Sequence, residues 1–184
     1  MRHLATADFD GKVRLWDPAT GRDLTSLTGH TGELSAVAWS PDGIRLATAS
    51  YDREVRLWDP ATGHHLVTLT GHTGGVRAVA WSPDGTRLVT GGDDREVRLW
   101  DPDTGHHLAT LTGHAGGVSA VAWSPDGTRL ATAGEGGDIR LWDPSRADHQ
   151  RYLQVDPLEC LQWAESGIAV SGAKGVIVLD LAHL

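Results

Sequence analysis

Imidazoles, carboxylates and hydroxyls recur along this 184-residue chain at fixed intervals, and a catalytic or metal site would be assembled from such groups. His64 and His65, repeated at His106 and His107, offer ring nitrogens of the kind that bind transition metals. Neighbouring residues on a strand point to opposite faces, so neither pair can close on one ion. Both pairs read as the solvated start of an outer strand, and no metal is expected. Cys160 is the only cysteine, which excludes an intramolecular disulfide and a thiolate cluster within one chain; it reads as a small inert hydrophobe. A phosphate-cradling loop is the sharper reading of Ser171, Gly172, Ala173, Lys174 and Gly175, but the spacing is wrong and the segment falls between two strands, so a hairpin turn is the better one. The eight Trp could stack on nucleobases, yet each occupies a repeat-locked strand position where packing explains it. No catalytic constellation emerges, and neither an enzyme nor a cofactor is expected.

Charge and hydropathy narrow the partners. The net charge is −8, and Lys12 and Lys174 are the only lysines, so the clustered positive charge that holds phosphates is missing and nucleic acid is not expected. No apolar run reaches the eighteen or so residues of a membrane span, and the start, from Met1 to Asp8, lacks a signal peptide's apolar centre. The expectation is a cytoplasmic protein with no membrane contact.

The elements that would position these groups come from a repeat. Sliding Gly29–Thr70 forward by 42 places leaves 32 of the 42 positions identical, and a third copy follows from Gly113. Within a copy, Leu34 to Trp39 suits an inner strand buried on both faces. Ser40, Pro41, Asp42 and Gly43 supply a turn, Arg45 to Ala49 a second strand, and Val55 to Trp58 a third. Leu66 to Leu69 make a fourth. Short strands at this spacing predict an all-β fold of antiparallel meanders, each covered by its neighbours.

Here the residues resemble a known family. Gly-His at 29/30, 71/72 and 113/114, followed by Trp-Asp at 58/59, 100/101 and 142/143, is similar to the WD-repeat signature. The resemblance implies a β-propeller of four-stranded blades, usually seven, serving as a platform for protein partners. It also implies a hydrogen-bonded chain inside each blade, through His30, Thr48, Asp52 and Trp58 in one copy and His72, Thr90, Asp94 and Trp100 in the next. In the third copy His114, Thr132 and Trp142 are present, but Gly136 stands where Asp is expected, so that chain is expected to be open or water-filled. The organisation expected is a partial blade over 1–28, repeats over 29–70, 71–112 and 113–156, and a degenerate last blade without its outer strand over 157–184.

Seven blades of about 40–45 residues need roughly 280–315 residues, and 184 residues at a period of 42 supply 4.4 units. The propeller is therefore expected to be incomplete, either an open arc from a longer chain or a ring completed by homo-oligomerisation through its open ends. The first two full copies differ at positions that line the channel entrance in this family: Glu33 against Gly75, Ser35 against Arg77, and Tyr51 against Asp93, with Gly117, Ser119 and Glu135 as their counterparts in the third. With Glu159 added, Glu33, Ser35, Tyr51, Arg77, Asp93, Ser119 and Glu135 form the expected rim for a protein or peptide segment, its acids favouring a basic one.

Overall fold

Each copy folds around the same short turn. The Ser40 hydroxyl donates to Asp42 Oδ1 (2.5 Å) and accepts the Arg45 amide (2.9 Å); Asp42 Oδ1 also accepts the Ile44 amide (3.0 Å), and Gly43 sits at a φ of +74°. Proline before the aspartate fixes one dihedral and the glycine takes the left-handed one, so all four residue types are used. The same bonds recur from Ser82 to Arg87 and from Ser124 to Arg129. In the last of these the Ser124 hydroxyl, followed by the Thr128 amide and hydroxyl, holds the Asp126 carboxyl at about 2.

The computed structural model describes residues 3–145 and, beyond them, the backbone of 148–154, 160–164, 167–172 and 175–180. Eighteen strands follow in chain order. β1 (Leu4–Ala7), β2 (Val13–Asp17) and β3 (Arg22–Leu27) make a three-stranded sheet. β4 (Leu34–Trp39), β5 (Leu46–Ser50), β6 (Val55–Trp58) and β7 (His65–Leu69) make the first four-stranded one. β8 (Val76–Trp81), β9 (Leu88–Gly92), β10 (Val97–Trp100) and β11 (His107–Leu111) make the next. β12 (Val118–Trp123), β13 (Leu130–Gly134), β14 (Asp138–Asp143) and β15 (Asp148–Gln154) follow, then a three-stranded sheet of β16 (Cys160–Ala164), β17 (Gly167–Gly172) and β18 (Gly175–Asp180). All pairings join chain neighbours in antiparallel fashion, the described residues contain no helix, and the inner strands β4, β8, β12 and β16 lie side by side. The fold is an incomplete β-propeller. The second strand of the first full unit begins at Leu46, one residue later than the sequence suggests, because the Arg45 carbonyl is taken by the Ser40 amide of the turn (2.9 Å), and those of the next two begin likewise at Leu88 and Leu130.

The core lies between sheets. Val13, Leu15 and Leu27 of the first sheet pack on Leu34, Leu46 and Trp58 of the second. Val55, Leu57 and Leu69 then meet Val76, Leu88 and Trp100, and Val97, Leu99 and Leu111 meet Val118, Leu130 and Trp142. The period-2 alternation of β6 explains this: Val55 and Leu57 face the following sheet while Trp58 faces the preceding one. Leu46, Leu88 and Leu130 have no exposed surface. Replacing Leu88 by Ala should cost about 2–5 kcal/mol, read as a lower denaturant midpoint. Because the residue joins two sheets, the loss should appear in one cooperative transition and not as separate melting of one unit.

Candidate protein-interaction surface

The described polar groups buried inside the sheets form chains from strand to turn. In the second full unit the Trp100 indole N–H donates to Thr90 Oγ1 (2.9 Å), the Thr90 hydroxyl meets His72 Nε2 (2.7 Å), and His72 Nδ1 meets Asp94 Oδ2 (2.8 Å). Trp58, Thr48, His30 and Asp52 are joined in the same order at 2.9, 2.8 and 2.8 Å. One arrangement of protons satisfies every link: a neutral imidazole protonated at Nδ1 donates to the carboxylate and accepts the threonine proton at Nε2. Burial holds the His30 and His72 imidazoles below their ordinary range, against the pull of their aspartates. Burial opposes the charge on Asp52 and Asp94, but the Thr31 and Thr73 amides and the histidines outweigh it and hold both carboxyls low. The glycine before each histidine has a steric reason. A Cβ at Gly71, where φ is +148°, would lie 2.5 Å from the Arg98 guanidinium and 3.4 Å from the Trp100 ring.

In the third copy the hydrogen-bonded chain stops at His114, whose Nδ1 is buried without a hydrogen-bond partner among the described residues, and an acid stands against it from another position. Trp142 and His114 reach Thr132 Oγ1 at 2.7 Å each, and the carboxylate missing at Gly136 comes from Asp138, whose Oδ2 lies 2.6 Å from His114 Nδ1. Asp138 stands at the register of Glu54 and Glu96, whose longer side chains point away to pair with Arg56 (2.9 Å) and Arg98 (2.7 Å). One methylene shorter, it turns inward and still meets Arg140 Nε at 3.1 Å. Gly134 makes room, since a Cβ there would sit 2.2 Å from Asp138 Oδ1. The substitute is an imperfect one: the Asp138–His114 contact lacks aligned hydrogen-bond geometry, and Asp138 Oδ1 is buried without a hydrogen-bond partner among the described residues. In the first sheet Trp16 donates to Thr6 Oγ1 (2.9 Å), while Asp10, the counterpart of Asp52, pairs with Lys12 (3.1 Å).

His65 and His107 also have structural work. Each sets its ring edge-on to the Trp of the adjacent strand, with centroids 5.4 Å apart for Trp58 and 5.3 Å for Trp100, and each bonds a threonine three residues on. Among the described residues no three His, Cys, Asp or Glu converge as a metal site would require.

At the end where the inner strands begin, the positions that vary between copies come together. Ser35, Arg77 and Ser119 are each the extra residue of a β-bulge, since Leu34 pairs with Ser50 but Ala36 with Ala49, and likewise in β8 and β12. A bulge releases its side chain from the alternation of the strand and re-aims it. Arg77 uses that freedom to reach Asp93 of its own sheet and Glu135 of the next. Ser35 donates instead to the Val76 carbonyl of the neighbouring inner strand (2.5 Å), and Ser119 to the Ala133 carbonyl (3.3 Å). Tyr51 is 46% exposed and lies over Gly75, where a Cβ would come within 2.6 Å of its ring. Asp93 and Glu135 flank Gly117 in the same way, and Glu33 is exposed. Phe9, at the same register as Tyr51, Asp93 and Glu135, is 80% exposed; sequence comparison of the full copies passed over it because it lies in the partial first unit. Glu159 lies outside the described residues.

A sheet array of this kind, with a Trp–Thr–His–Asp chain in its units, defines a WD-repeat propeller. The chain belongs to the WD domain, G-beta repeat family, which matches residues 1–17, 21–59, 63–101 and 105–143. It is similar to Coronin-7 of Mus musculus, 44% identical over 43 residues that make up 23% of this chain and 5% of that protein. It is also similar to Ribosome assembly protein 4 of Chaetomium thermophilum, 48% identical over 40 residues, 22% of this chain and 8% of that one. F-box-like/WD repeat-containing protein TBL1X of Mus musculus is 50% identical over 40 residues, again 22% and 8%. Each match is one repeat long, and the chain spans less than a tenth of these relatives. WD repeats serve in general as scaffolds for contacts between proteins.

Acid should unfold the array earlier than its carboxylates alone would dictate. Folded His30, His72 and His114 titrate below the roughly 6.5 of an unfolded histidine, so acid protonates the unfolded chain first. Their contribution is complete above that pH and is withdrawn as the pH falls through it, by at most about 1.4 kcal/mol per pH unit for each imidazole. The melting temperature should fall steadily from pH 7 to 5. Replacing Asp94 by Ala should cost about 1–3 kcal/mol by stranding the His72 N–H, measured by thermal unfolding at neutral pH.

Proposed function

We propose that this protein is a non-catalytic, cytoplasmic interaction scaffold that takes a partner segment on the rim where its inner strands begin. The observation that carries the reading is the bulged Arg77, held between acids of two sheets beside exposed Tyr51. That patch spans three units and is built from positions at which otherwise near-identical copies differ. Phe9 and Tyr51 give its earlier half an aromatic character, and Asp93 and Glu135 give its later half an acidic one. An extended segment carrying an apolar anchor followed by Arg or Lys fits both halves: the anchor lies on the rings, and the cation competes with Arg77 for Asp93 and Glu135. Glu33, Ser35 and Ser119 border this path. No nucleic acid or membrane is needed for this role.

A second reading has its own observation. The first sheet has three strands and exposes Leu4, Leu24 and Phe9, so a second copy, or further blades, could cover what its own chain leaves bare. Light scattering separates the two, because assembly through the sheet ends requires a mass above that of the monomer.

The rim reading is tested with peptides selected by display on the intact protein. Selected sequences should pair an aromatic or aliphatic residue with a nearby Arg or Lys; Tyr51→Ala should weaken their affinity at least tenfold, and Arg77→Ala, which frees Asp93 and Glu135, should strengthen it. Unchanged affinity in both single variants would overturn the rim assignment.

A further inference from the structure

At the opposite end of the sheets, one polar interface has its ion pair and its copy does not. Arg45 leaves the turn after β4, stacks its guanidinium over the Trp81 ring at 4.8 Å, and pairs through Nη1 with Asp103 Oδ1 at 2.6 Å. Asp103 belongs to the turn between β10 and β11, so the three residues knit two sheets together. Moving each by 42 places gives Arg87, Trp123 and Ser145. The cation and the indole are retained and the acid is lost. Ser145 turns its hydroxyl back to Asp143 Oδ1 (2.5 Å), and a cavity of about 370 Å³ opens, lined by Arg87, Trp123, Ser145, Asp84 and Asp143. Among the described residues the Arg87 side chain has no ion-pair partner. The buried Trp123 N–H likewise lacks the kind of acceptor that Trp81 finds in the Ala38 carbonyl at 3.1 Å.

We propose that this cavity is a receptor for a side-chain carboxylate, an Asp or Glu presented by a partner protein, which takes the place that Asp103 fills for Arg45. The neighbouring acids do not forbid it. Asp84 and Asp143 correspond to Asp42 and Asp101, which flank the occupied site and tolerate Asp103 there. Asp84 is moreover held by Ser82 and Thr86, and Asp143 by Ser145. A guanidinium without an ion-pair partner among the described residues, lining the same cavity as Trp123, offers a carboxylate charge-assisted bonds in a partly enclosed space. The molecule also contains a control. The first interface carries His3, Trp39 and Ala61 at these positions, so the arginine and its acid are both replaced; the Arg45 that borders this notch is already paired with Asp103. This receptor is independent of the rim, which lies at the other end of the strands.

The test uses the full chain labelled with 15N, with the Trp123 indole resonance assigned through Trp123→Phe. Titration with N-acetyl-aspartate α-amide should shift that resonance saturably and leave Trp39 unmoved. Arg87→Gln should weaken binding at least tenfold, and Ser145→Asp, which installs the acid already present at Asp103, should abolish it. Asp103→Ser should create a second responding site at Trp81. The proposal fails if the neutral N-acetyl-asparagine amide shifts Trp123 equally, if no saturable shift occurs, or if Ser145→Asp binds as the parent does. Tighter binding of N-acetylglycine would give the cavity to a chain terminus and overturn the side-chain assignment.

Discussion

Two-sided burial is the constraint on which the rest of this structure depends. The second strand of each full unit, β5, β9 or β13, is buried at all five positions, so both faces of the sheet must be covered. A sheet of such short strands cannot do this alone. The covering that repeats is another copy, with Leu57 reaching forward to the unit that holds Trp100, and Leu99 to the unit that holds Trp142. The hydrophobic gain is therefore made between units and not within them, which is why a chain of nearly identical segments folds as an array.

The polar chains follow from that packing. Thr48, Thr90 and Thr132 have no exposed surface, and a hydroxyl so placed is stabilised only when indole and imidazole partners reach it. The histidine extends the path to a carboxylate in the turn, which also holds the loop amides of Thr31 and Thr73. Interior and rim are thus linked: the acid that completes the buried chain fixes the backbone beside the residue that varies from copy to copy.

What could be read in the sequence was what repeats. Strand positions, the Ser-Pro-Asp-Gly turn and the alternation of Val and Leu with Trp are periodic, and period alone decides them. Asp138 was hidden because a strand residue there replaces a turn residue, and only the path of the chain shows that the two can reach the same imidazole. The clue was present as a coupled change, Glu54 and Glu96 shortening to Asp138 where Asp52 and Asp94 give way to Gly136. The fate of Arg77 was hidden for another reason. A bulge is invisible in a list of residues, and its two acids come from different sheets. The contrast between Asp103 and Ser145 has no meaning within a single copy, because the arginine that meets Asp103 comes from another sheet.

Asp138 has one more consequence. In the two preceding units the tip of the hairpin joining the second and third strands is bound to the interior, because its aspartate cannot change without stranding a histidine. In the unit around Trp142 that duty has moved into the strand, so the turn that carries Glu135 presents its acid to Arg77 without also having to supply the carboxylate beneath it.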